Sequence, residues 1–146
     1  MLTLGLLVAL LSGPRLEAAG VVTHRSKNFI LHTDDDPDRA KQLLEKLERM
    51  LGIVSTYWRR PNRHMIECCV VKDLENWPAG RLPPLALKKI RSGSGVTLTV
   101  KRMQGKAFMA KSVVYAVANT ATTQHEAVHA YCHQMFGSSG PVWYSE

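Results

Sequence analysis

Asp34-Asp35-Asp36-Pro37 constrains the fold more than any other four residues of this chain. An Asp supplies an N-cap, Pro fits the first helical position, and the carboxylates sit at the positive end of a helix dipole. Apolar residues then recur at Ala40, Leu43, Leu44, Leu47, Leu51 and Val54, the spacing of one buried helix face. The other face carries Arg39, Lys41, Glu45, Lys46, Glu48 and Arg49 and reads as solvated surface. Before this helix, Asn28–His32 (NFILH) reads as a strand; after it, Met65–Lys72 reads as a second. Trp77 to Pro84 is a Pro- and Gly-rich loop with room for one short helical turn. Gly95–Arg102 alternates like a strand, and Ser112–Ala118 (SVVYAVA) is the most strand-like stretch of all. The order strand, helix, strand, loop, strand, strand, helix predicts an α+β domain with a mixed sheet packed on a long helix.

Length and composition support one globular unit. The 146 residues fit a single core, and 45% hydrophobic with 21% charged residues argues against wholesale disorder. Three cysteines, an odd number, argue against a disulfide scaffold. Cys68 and Cys69 are neighbours in a strand and face opposite sides, so they are expected to be separate core residues and not a pair.

Leu2–Leu11 (LTLGLLVALL) has the length of a secretory apolar segment and is too short to span a bilayer, which takes about 20 residues. Small residues follow at Ala18-Ala19-Gly20, although no Lys or Arg precedes the run and Arg15 and Glu17 sit where a neutral cleavage region is expected. Residues 1–20 are therefore expected to be a signal peptide or N-terminal anchor of an exported protein, and 21–146 the domain. A buried N-terminal helix or strand is the alternative. No transmembrane segment is expected elsewhere.

One segment carries specific chemistry. His125-Glu126-Ala127-Val128-His129 fits H-E-x-x-H. Residues four apart on a helix lie one above the other, so both imidazoles can reach one zinc ion at about 2.0–2.1 Å. Glu126 is turned about 100° from His125, beside the ion, where it can take a proton from an activated water. Asn119, Thr120 and Thr123 offer capping groups, and Gly137 a stop. A catalytic zinc site needs a third ligand and an open position. Glu146 is the best candidate: the chain turns at Gly140-Pro141, and a second helix starting near Val142 would return a carboxylate to the histidines. Cys132 shares the angular direction of the pair but lies about 10 Å along the axis from His125, so a core role is favoured. His133 is expected beside the site or at the surface, and His24, His32 and His64 show no ligand spacing.

HEAVHAYCHQMFG followed by GPVWYSE resembles the zinc metallopeptidases of the HExxH-plus-Glu type, the gluzincins of the peptidase MA-like group. More narrowly, it resembles an uncharacterised bacterial family of exported proteins with the pattern H-E-x-x-H, a short loop, then P-x-W-x-x-E-G. FILHTDDDPDRAKQLLEKLERML resembles that family's opening strand and helix, so the likeness covers most of residues 28–146. The resemblance implies a zincin-like fold, Zn2+ on His125, His129 and Glu146, Glu126 as base, and a peptide or protein substrate. It also implies that Ser112–Ala118 is the edge strand along which an extended peptide lies. The pattern's last Gly falls past Glu146, and a chain ending on a ligand is expected to be the front portion of a longer catalytic domain. Tyr115, Tyr131 and Tyr144 could in principle stabilise an oxyanion, but packing is their favoured role.

Two other functions fit less of the sequence. A non-catalytic zinc domain would keep the ligands without turnover. A nucleic-acid or anionic-surface module would use the net charge of +7, with Arg59, Arg60, Arg63, Lys88, Lys89, Arg91, Lys101 and Arg102 as its patch. No helix-turn-helix, zinc-finger or base-stacking pattern accompanies those residues, so no specific nucleic-acid partner is expected.

Overall fold

The computed structural model describes residues 20–138. These form a mixed α/β fold: a five-stranded sheet with three α-helices among the described residues. In chain order the elements are β1 (Val22–Arg25), β2 (Phe29–Thr33), α1 (Pro37–Tyr57), β3 (Ile66–Val71), α2 (Pro84–Arg91), β4 (Gly95–Gln104), β5 (Ala107–Val117) and α3 (Thr120–Phe136). A single 3-10 turn at Leu74–Asn76 follows β3. The strands lie in the order β1-β2-β3-β5-β4. β2, β3 and β5 are parallel, and the two outer strands, β1 and β4, are antiparallel to their neighbours.

Each face of the sheet has its own core. Leu44, Leu47 and Leu51 of α1 and Ala127, Ala130 and Tyr131 of α3 pack on Phe29, Leu31, Ile66 and Val114. On the opposite face, Ile90 of α2 joins Cys69, Val71, Trp77 and Leu82. A fully buried Leu contributes about 1.5–3 kcal/mol, so the leucines of α1 alone are a large part of what holds the first layer. Cys68 belongs to one core and Cys69 to the other, as strand alternation predicts. Burial, with the Glu67 charge adding to it, pushes the Cys69 thiol up to about 12, and burial pushes Cys68 up as well, so both are inert.

The helix starts and stops follow the sequence. The Asp36 side chain accepts from the Asp38 and Arg39 amides, Pro37 opens α1, Asn119 caps α3, and Gly137 ends it in the left-handed conformation at φ 79°. Four features differ from expectation. β1 was not foreseen because its residues are mostly exposed and carry no apolar alternation. α2 extends the expected single turn to eight residues, opening on Pro83-Pro84 and without a side-chain cap. Ser112–Ala118 is not the edge strand: it belongs to β5, which pairs with β3 on one side and β4 on the other, leaving β4 as the edge. Its residues are apolar on both faces because both faces are covered. Glu48, finally, is not simply solvated, since its carboxylate accepts from Ser26 Oγ, the Asn28 amide and Asn28 Nδ2 at 2.6–2.7 Å and ties the β1–β2 turn to α1.

Asp34 ties down the other end of the molecule. Its Oδ1 accepts from the Lys72 amide at 2.8 Å and Trp77 Nε1 at 3.0 Å, and its Oδ2 from the Asp73 amide at 2.8 Å and Asn76 Nδ2 at 3.1 Å. Burial alone would raise its pKa, but these four donors together hold it below the ordinary 3.8. Asp34→Ala is expected to cost about 1–3 kcal/mol at neutral pH. A group with a lowered folded pKa contributes fully above its unfolded pKa and loses that contribution as pH falls through the folded value. Denaturant melts at neutral pH should therefore separate variant from parent, and melts below pH 3.8 should bring them together.

Candidate metal centre

α3 packs under the open edge of the sheet, against β5 and β4. Thr123, Ala127, Ala130 and Gln134 turn inward and are buried. The 100° step per residue then places His125 and His129 on the solvent side, with Glu126 between them and the edge strand. The two rings stand edge to face with centroids 4.6 Å apart, and their Nε2 atoms approach to 3.0 Å. Two ligands of one tetrahedral zinc, each about 2.0–2.1 Å from it, lie roughly 3.3 Å apart. The imidazole pair therefore fits a shared ion with little rearrangement, and imidazole nitrogen is a donor zinc favours.

Glu126 is held from the sheet. Its side chain is 9% exposed, and Thr97 Oγ1 on β4 lies 2.8 Å from Oε2 and 2.7 Å from the Glu126 carbonyl oxygen, so one hydroxyl proton serves both. Oε1 accepts no hydrogen bond from the described residues. Gly95, two residues earlier on the same face of β4, leaves the space for this carboxylate: a Cβ there would lie 2.8 Å from Glu126 Cγ, 2.9 Å from the Tyr115 carbonyl oxygen and 3.1 Å from Thr122 Cγ2. Neither Gly95 nor Thr97 was foreseen as part of the site. The only sequence signal is the alternation of β4, which puts Gly95, Thr97 and Thr99 on one face.

The other candidates separate by position. Glu146 and Tyr144, with the turn at Gly140-Pro141 and the expected second helix, lie outside the described residues. Among the described residues no cluster of three His, Cys, Asp or Glu side chains is set to hold a metal. Tyr131 is fully buried and donates from its hydroxyl to the Arg60 carbonyl at 2.6 Å. Tyr115 packs in the core on the α2 side of the sheet, away from α3. Both are packing residues. Cys132 packs against the core, and burial raises its thiol pKa. For His133, burial first, then the charges of Lys101 and His129, oppose protonation. His32 lies elsewhere, bonded through Nε2 to Glu67 at 3.1 Å and through Nδ1 to Thr23 at 2.9 Å.

The basic residues do not form one surface. Lys88, Lys89 and Arg91 are on α2, on one face of the sheet, whereas Lys101 Nζ bonds to the Gly137 carbonyl at the end of α3, on the other. No helix of the described residues is long and apolar enough to cross a membrane. No family model matches this chain, and no curated protein or solved structure matches it.

Proposed function

We propose that this chain belongs to a zinc-dependent hydrolase of peptide bonds with a zincin-like site, in which His125, His129 and Glu146 hold the ion and Glu126 is the base. The observation that carries the reading is the convergence of the His125 and His129 Nε2 atoms to 3.0 Å beside a buried carboxylate fixed by the edge strand. Eight residues lie between Gly137 and Glu146, an extended reach of about 30 Å, while His129 lies about 12 Å back along α3. The chain is therefore long enough to bring that carboxylate to the pair.

When bound, zinc supplies Lewis acidity to a substrate carbonyl and acidifies a water at its open position. Thr97 fixes Oε2 of Glu126, which leaves Oε1 to take the water's proton and return it to the leaving amine. β4, the edge of the sheet next to α3, offers its outer backbone to an extended peptide by strand addition. The apolar segment Leu2–Leu11 supports export, and it lies outside the described residues. A mixed peptide library should be cut by the zinc-loaded chain, protected by a chelator, and cut again on adding zinc. Cleavage that persists in the chelator would remove the metal from the reaction.

A further inference from the structure

A second surface, on the far side of α1, is built for a different task. Lys46, Arg49, Met50, Ile53 and Tyr57 follow the helical repeat along one stripe of α1. The stripe ends in a joined aromatic cluster: the Tyr57 and Trp58 rings are 5.2 Å apart, and the Trp58 and Phe136 rings 5.6 Å. Arg60 lies over the Phe136 ring at 5.2 Å, held there by the Tyr131 hydroxyl on its carbonyl. Arg59 takes the left-handed turn that ends α1 at φ 52°, a conformation usually left to Gly.

These side chains are out in solvent. Ile53 is 66% exposed, Tyr57 78%, Trp58 52% and Phe136 41%, and Arg59, Arg60 and Arg63, which follow Trp58 in the chain, are exposed as well. Among the described residues none of these three arginines, nor Lys46 or Arg49, forms an ion pair. Large apolar side chains projecting together are costly in water and mark a contact surface. Trp and Tyr favour the headgroup level of a bilayer, and exposed Arg and Lys are drawn to anionic lipid. The cluster sits where α1 and α3 both end, beside a shallow hollow lined by Lys46, Arg49, Met50 and Ile53, and the unpaired basic side chains along it match an anionic lipid in charge.

We infer that the α1 stripe and the Trp58–Phe136 pole dock this protein on an anionic lipid surface, the aromatic side chains entering the headgroup layer and the arginines pairing with phosphates.

Sedimentation of the full chain with vesicles of phosphatidylcholine alone, or mixed with phosphatidylglycerol, tests this. Every variant keeps residues 1–19, so differences among variants report the patch alone. Binding should be stronger on the mixed vesicles and weaken with salt. The triple variant R59E/R60E/R63E should bind them roughly a hundredfold more weakly, at about 1 kcal/mol per basic residue removed. Tyr57→Ser with Trp58→Ser, two exposed positions that leave the core intact, should lower binding at low salt as well. Equal binding to both vesicle types, parent-like binding by the variants, or self-association in solution that the same variants abolish would each overturn the lipid contact.

Discussion

Glu126→Gln is expected to lose about 10²–10⁴-fold in peptide-bond cleavage while holding zinc as the parent does. The substitution keeps the shape of the side chain, and Thr97 can still donate to the amide oxygen from β4. What disappears is the basic oxygen that takes the proton of the attacking water. His125 and His129 are untouched, so metal content should not change. Two measurements on one preparation decide it: zinc per chain by elemental analysis, and the initial rate on a library-derived peptide. Loss of rate with zinc retained identifies Glu126 as the base. An unchanged rate with zinc retained would mean another group takes the proton, and zinc without cleavage in the parent would leave a metal-binding domain that does not turn over.

Gly95→Val should be the most damaging single change outside the proposed metal ligands. Even the Cβ would approach the Tyr115 carbonyl oxygen to 2.9 Å and Glu126 Cγ to 2.8 Å. The Tyr115 carbonyl belongs to the β-ladder and cannot swing away, so the strand or the carboxylate must move. Over-packing of this kind costs about 1–3 kcal/mol, and the two further methyl groups of Val push it toward the upper end. A denaturation midpoint lowered to match, with activity lost at temperatures where the fold persists, is the expected pair of results. Gly95→Ala meets the same Cβ contacts and should fall between. A Val variant as stable and active as the parent would mean that β4 does not confine Glu126.

Local chemistry made much of the fold legible. Asp36 and Pro37 fix the start of α1, Gly137 fixes the end of α3, and the leucine spacing of α1 matches its buried residues. The errors fall where tertiary context decides. Glu48 is charged on a charged helix face, and only its neighbour Asn28 in space, twenty residues away, shows that it is a clamp. β1 and the outer part of the β4–β5 hairpin are exposed and lack the alternation that betrays a half-buried strand. The apolar run Ser112–Ala118 reads as a strand from its residues alone; its edge position rested on the family resemblance, and pairing on both sides overturns it. The spacing of His125 and His129 predicts two rings on one helix face, and α3 brings their Nε2 atoms to 3.0 Å; their role at a metal is part of the proposal. Thr97, 29 residues from Glu126 in sequence, came within reach only through the pairing of β4 with β5 and the packing of α3 beneath.

Titration of the chelator-stripped full chain with zinc, read by competition with a chromophoric chelator, tests the central claim most directly. One tight equivalent per chain is expected, with His125→Ala and His129→Ala each weakening it by about a hundredfold or more, since each removes one of three protein ligands. Absence of a stoichiometric site, or a site whose affinity survives both histidine substitutions, would contradict it.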